Sequence, residues 1–271
     1  MTATTETKTA HAQPAAQPLV LATVDGAVGM LTLNHPGKRN ALSRAMIAAV
    51  RAALERFRTD RAVKAIVISA NGPVFSAGHD LKEFVGADPS SVNTLLDECT
   101  ALMDGLRLIP KAIIAQVNGL ASAAGCQLVA SCDLAVASSE ARFQTPGVKI
   151  GLFCSTPMIP LSRAVAPKKA LEMLLTGRAI GADEAERAGL VNRVVAPEAL
   201  AAETLALARD IASYSGDTLA LGKPAFYRQL ALDLPQAYAV GKDAMARNVP
   251  MPDAQEGMSA FLEKRVPNWS S

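Results

Sequence analysis

Two glycine-bearing segments carry most of the chemistry legible in this chain: Phe75-Ser76-Ala77-Gly78-His79-Asp80-Leu81-Lys82-Glu83 and Asn118-Gly119-Leu120-Ala121-Ser122-Ala123-Ala124-Gly125-Cys126-Gln127. Each follows an apolar, β-branched run, residues 65–68 and 112–117, and opens a stretch of helical periodicity. Both therefore read as strand-to-helix turns that present unpaired amide N–H groups at a helix start. Two such donors facing one point form an oxyanion hole. That arrangement stabilises negative charge on a thioester or ester oxygen, and losing one donor costs on the order of a hundredfold in rate.

The elements that must hold these turns are readable around them. Strand-like runs at 19–24 and 28–33 flank Asp25-Gly26, a hairpin signal. From Ser43 the apolar positions Met46, Ile47, Val50, Ala53, Leu54 and Phe57 recur at three and four, the spacing of an amphipathic helix opened by a serine cap. A helix after the first turn breaks near Asp88-Pro89, and a further one runs to about Leu108, where Ile109-Pro110 ends it. The second turn leads into a helix ending near Ser131 and a strand at 134–137. This alternation predicts an α/β fold with a parallel sheet and helices packed on it. Beyond Leu161 the pattern is mostly helical, with helices expected at 198–213, 218–231, 235–247 and 253–264 and a strand-like run at 191–195.

Composition narrows the function classes. Half of the 271 residues are hydrophobic, 4% are aromatic, and the net charge is +2, so nothing points to nucleic acid, although a phosphate-bearing ligand suits the small surplus. No apolar stretch approaches the ~18 residues of a membrane span. Cys99, Cys126, Cys132 and Cys154 form no CxxC pair and have no histidine cluster near them, so no metal is expected; they read as buried thiols of a cytoplasmic protein. Residues 1–18 are rich in Thr, Ala, Gln and Pro without an apolar core, and read as a disordered tail and not as a targeting peptide.

The segments FSAGHDLKE, VNGLASAAGCQLVASCDLAVAS and QEGMSAFLEKR together resemble the crotonase superfamily, the enoyl-CoA hydratases and isomerases. The likeness runs from about Leu19 to Trp269. It implies a crotonase (ClpP-like) spiral of β-β-α units over 19–200 and a C-terminal helical trimerisation region over 201–271, assembled as a homo-trimer or a dimer of trimers. The implied ligand is an acyl-CoA thioester, which carries its own coenzyme A, so no separate cofactor is expected. By the same resemblance the oxyanion hole is formed by the amides of His79 and Ala124, with Ala77, Asp80, Leu81 and Gly125 around it. Lys38, Arg39, Asn40 and Ala41 resemble the segment that runs along the coenzyme's adenine and phosphates. Phe261 resembles the residue that covers the adenine of a neighbouring subunit, and Lys82 and Lys264 are either phosphate contacts or solvated lysines.

One departure decides the chemistry. Family hydratases hold a water between two glutamates, and the matching positions here are Gln127 and Gly147. Neither exchanges a proton, and loss of such a group costs roughly 10²- to 10⁴-fold. The resemblance thus implies an enoyl-CoA hydratase- or isomerase-like lyase with weak hydration; decarboxylation of a malonyl-type CoA and non-catalytic acyl-CoA binding are the alternatives. Restoring glutamate at both positions is expected to rebuild a water-activating pair. Cys154, in the stretch that lines the family's acyl pocket, reads either as a substitute base or nucleophile or as a lining residue. The side chain of His79 is expected to point away from the hole, and Asp80 to cap the turn behind it.

Overall fold

The computed structural model describes residues 17–271, so the tail expected over 1–18 lies outside the described residues as far as residue 16. The chain opens with the expected antiparallel hairpin, β1 (Val20–Asp25) and β2 (Val28–Leu33), turning at Gly26 with φ +59°. Helix α1 (Arg44–Thr59) starts at Ser43, whose hydroxyl accepts the Met46 N–H, and buries the apolar stripe read from its spacing. Three layers then repeat: β3 (Ala65–Ala70), β4 (Val74–Ser76) and α2 (Pro89–Leu108); β5 (Ala112–Val117), β6 (Leu120–Ser122) and α3 (Ala124–Ser131); β7 (Leu134–Ser138) and β8 (Arg142–Gln144). Next come α4 (Met158–Ala164), α5 (Pro167–Thr176), β9 (Ile180–Gly181), α6 (Ala182–Ala188) and β10 (Arg193–Val195). Four helices finish the chain: α7 (Leu200–Ala212), α8 (Gly216–Gln229), α9 (Leu234–Asn248) and α10 (Pro252–Glu263).

Each turn of the spiral gives one strand to each of two sheets. One sheet runs β1-β2-β3-β5-β7-β10, parallel from β2 onward, and the other runs β4-β6-β8-β9. Side chains along a strand alternate between faces, and β3 shows it. Ile66 and Ile68 join the main core with Phe57, Phe75 and Phe143, while Ala65 and Val67 face a second cluster with Ile114, Val136, Leu200, Ala208 and Ala212. With both faces covered, the strand is apolar through its first four residues, Ala65–Ile68, as suits a buried parallel strand.

Three differences from the sequence reading have physical causes. The first turn leads only into a single 3-10 turn, Leu81–Glu83, because Gly86 at φ +72° and Pro89 reset the chain before a helix forms. The strands β4, β6 and β8 have three residues each, too few for alternation to register. The boundary placed at residue 200 falls at the start of α7, whose buried residues pack on the first sheet, so the core extends to about Ala212. By contrast α8 and α9 contain no buried residues, and Leu234, Tyr238, Met245 and Phe261 stand exposed on this part of the chain.

Candidate active site

The two glycine turns interlock. A Cβ on Gly78, which has φ +92°, would lie 2.9 Å from the Ser122 carbonyl oxygen and 3.1 Å from the Ala124 nitrogen. A Cβ on Gly125 would lie 2.3 Å from the carbonyl oxygen of Ser76. Only hydrogen at these two positions permits the approach. Half of the amides in the turns are occupied, among them Ala77, which donates to the Arg39 carbonyl at 3.0 Å, Gly78 to Ser76 Oγ at 3.3 Å, Ala123 to the Gln144 carbonyl at 2.9 Å, and Gln127 to the Ala123 carbonyl at 3.0 Å, while Asp80, Leu81, Gly125 and Cys126 have no acceptor among the described residues. The amides of His79 and Ala124 donate to no protein acceptor among the described residues. Ala124 is the first residue of α3, where the helix dipole favours negative charge.

Before it stands Ala123 at φ +49°, ψ −116°, a conformation that an L-residue occupies only under strain. The strain turns the chain sharply from β6 into α3. Gly125, buried, continues the helix, and the Gln127 side chain emerges one turn above Ala124.

On this upper wall Gln127 is 4% exposed, and its Oε1 is buried without a partner. Thr145, fully buried beside the β8 end that holds Ala123, likewise leaves its Oγ1 unpaired. Buried polar atoms are normally satisfied; His79 Nε2 and Asn118 Oδ1 are unpartnered as well, so four such atoms lie on the segments that carry the two turns and the strand end at Thr145. Gly147 donates its N–H to Cys154 Sγ at 3.4 Å, and a Cβ on Gly147 would meet the Leu152 carbonyl oxygen at 2.8 Å and Cys154 Sγ at 3.0 Å. No room is left for a side chain. This corrects the expectation that glutamates at 127 and 147 would simply restore the pair, because the thiol and the 147–154 loop occupy the second position. Burial raises the Cys154 thiol above its ordinary value, with the Gly147 amide opposing only in part, and burial pushes Cys126 up to about 12. Burial therefore disfavours the thiolate that a base or nucleophile at Cys154 needs, and favours its other reading, a residue that lines the wall.

His79 Nδ1 lies 3.1 Å from the Leu42 carbonyl, and its ring packs edge-on against Phe84 at 5.5 Å between centroids. Burial lowers its pKa, offset in part by the Leu42 carbonyl and by Glu83, so the imidazole is neutral at pH 7 and turned toward Leu42. Asp80 caps the 3-10 turn by accepting the Lys82 N–H at 3.1 Å.

The segment expected at the coenzyme is stitched to the first turn. Arg39 and Asn40 take left-handed backbone angles; the Leu42 N–H donates to the Gly78 carbonyl at 2.7 Å, and Ser76 Oγ donates to the Asn40 carbonyl at 2.9 Å. Asn40 is fully buried, accepting from the His35 N–H and donating to the Asn71 and Val74 carbonyls, so its side chain builds the loop and has no group left for a ligand. Lys38 and Arg39 are exposed and Ala41 half-buried on this loop, while Leu81 and Lys82 are exposed on the neighbouring turn. Phe261, 83% exposed, and Lys264, the C-cap of α10, lie on the outer helix. Ser76 and Thr145 were not singled out in sequence; only their positions beside Gly78 and before Pro146 marked them.

A family model described as enoyl-CoA hydratase/isomerase matches residues 23–271. The rat enoyl-CoA hydratase domain-containing protein 3, mitochondrial, is 51% identical over 241 residues, covering 89% of this chain and 80% of its own length. Among solved structures, an enoyl-CoA hydratase from Mycobacterium smegmatis superposes with a TM-score of 0.92 at 48% identity, covering 94% of this chain and 100% of that one. Human enoyl Coenzyme A hydratase domain-containing protein 3 gives 0.91 at 47%, covering 93% and 100%. The rat, mouse and human relatives are named mitochondrial, which overturns the cytoplasmic location expected from the cysteines. Free thiols report a reducing environment and do not say which compartment provides it. The chain belongs to the enoyl-CoA hydratase/isomerase family, within the crotonase superfamily.

Proposed function

We propose that this protein is an acyl-CoA enzyme that holds the thioester carbonyl between the amides of His79 and Ala124 and stabilises the enolate formed from it. The observation that carries this reading is the mutual glycine approach, Gly78 on Ala124 and Gly125 on Ser76, which brings together two turns whose His79 and Ala124 amides have no acceptor among the described residues. The exposed cations Lys38, Arg39 and Lys82 beside the first turn offer phosphate contacts. The uncovered apolar residues of α8 to α10 support assembly through that region, and Phe261 and Lys264 would then meet a neighbouring subunit's coenzyme.

Hydration needs a base to activate water and an acid to protonate the α-carbon. The wall facing the hole carries an amide, a hydroxyl and a protonated thiol at Gln127, Thr145 and Cys154, so hydration is slow here. The same neutral wall favours a second reaction, decarboxylation of a malonyl-type CoA. In that step the bond from Cα to the carboxylate breaks, CO₂ leaves, the electron pair passes to the thioester oxygen held by the two amides, and the enolate then takes a proton from water at Cα. No base is required to begin it.

Incubation with crotonyl-CoA and with methylmalonyl-CoA, following hydration and CO₂ release, separates the two, with calorimetric binding of both esters as the third readout. CO₂ release exceeding hydration supports the second reaction; binding without turnover of either leaves an acyl-CoA binder; no binding refutes the reading.

A further inference from the structure

The face of α3 that begins at the free Ala124 amide continues through Gln127 to Ser131, positions spaced three and four apart on one side of the helix. Two pockets with shared lining residues lie along it. The smaller, about 90 Å³, is lined by Gln127, Thr156, Met103 and Asp104; the larger, about 320 Å³, by Asn192, Arg163, Asp133 and Tyr227. Arg107, Ser131 and Pro160 line both. From Ala124 to Ser131 is about 10 Å along the helix axis.

Arg107 is the charge at this junction. Its guanidinium stacks over the Tyr227 ring at 4.4 Å, and it makes no ion pair among the described residues. Asp133 lies close by, yet its carboxylate is fully engaged: it accepts from Tyr227 Oη at 2.7 Å and the Ile113 N–H at 2.7 Å, and pairs with Lys223 at 2.6 Å. Lys223 in turn donates to the carbonyls of Leu106 and Lys111. This buried set fixes the Tyr227 ring as a platform and leaves the Arg107 fork free. Asp104, one turn back on α2, is exposed and forms no ion pair with it. A half-buried guanidinium held on an aromatic face without a carboxylate is suited to receive one from a ligand.

We propose that the acyl group carries a carboxylate at its far end, so that the ligand is the CoA thioester of a medium-chain dicarboxylic acid, its thioester at Ala124 and its terminal carboxylate at Arg107. The proposal rests on the reading of Ala124 and His79 as the thioester site. A malonyl group is too short to reach Arg107 from there, so the inference concerns a longer acyl chain.

The test is calorimetric affinity of the full chain for suberyl-CoA and octanoyl-CoA, which have equal chain length and differ in the terminal carboxylate. The native protein is expected to bind suberyl-CoA about tenfold or more tighter. That ratio should fall toward one in Arg107→Met, be partly kept in Arg107→Lys, and shrink as salt is raised. A native protein that binds both equally or prefers octanoyl-CoA overturns the proposal, as does a preference that survives in Arg107→Met. Should Arg107→Met fail to fold, the native ratio and its value in Arg107→Lys decide alone. Octanoyl-CoA bound without preference refutes only the carboxylate subsite, whereas binding of neither ester refutes the thioester site beneath it.

Discussion

The Ser76 carbonyl oxygen lies 2.3 Å from where a Cβ on Gly125 would stand, so the first turn closes on the first helical residues of the second with no space between them. Positions of the His79 and Ala124 amides depend on that contact. Gly125→Ala must push β4 and α3 apart, because the obstructing atom is backbone. The expected result is a fall of about a hundredfold or more in turnover or in affinity for acyl-CoA, with a lowered melting temperature. Circular dichroism and calorimetry check it; a Gly125→Ala protein with native affinity would show that the turns do not set the site.

Ala123 provides the opposite case. Its φ of +49° is one that glycine adopts freely. Ala123→Gly is expected to stabilise the fold by about 1 kcal/mol, since the strain released exceeds the entropy added to the unfolded chain. Urea denaturation would read this as a higher midpoint at unchanged slope.

The missing carboxylates make a third prediction. Gln127→Glu places one acid opposite the hole and should raise crotonyl-CoA hydration little, since the family reaction uses two. Gly147→Glu drives its side chain into the Leu152 carbonyl at 2.8 Å and should cost about 1–3 kcal/mol in stability without creating a working pair. A double variant that folds normally and hydrates crotonyl-CoA rapidly would show that the 147–154 loop yields more easily than its packing implies.

His79 gives the pH dependence. Burial holds its folded-state value below the usual ~6.5, so the unfolded chain takes up the proton first and stability falls as pH drops below about 6.5. The loss at acid pH should be smaller in His79→Gln, which keeps the backbone amide. Denaturation midpoints at about pH 7.5 and 5.5 measure it; an equal acid loss in both proteins would place the titration elsewhere.

How much of this was legible beforehand follows from what each signal requires. Gly78 and Gly125 were visible as glycine turns because each follows a long apolar strand, and α1 was visible because its stripe repeats over four turns. The second sheet was hidden in three-residue strands that alternate too briefly to show. Closure of the second acid position was hidden as well, since Gly147 in sequence says only that a side chain is absent, not that Cys154 and Leu152 fill its place. Arg107 was one arginine in a helix until α8 brought Tyr227 beneath it, a contact across 120 residues of chain.

The measurement closest to the central claim is the carbonyl stretching frequency of a bound acyl-CoA, read by isotope-edited Raman difference spectroscopy with ¹³C at the thioester carbon. Two amide donors polarise the C=O bond, so the band should move to lower frequency on binding to the native protein and return toward its solution value in Gly125→Ala. A thioester band in the native complex that stays at its solution frequency would contradict the account.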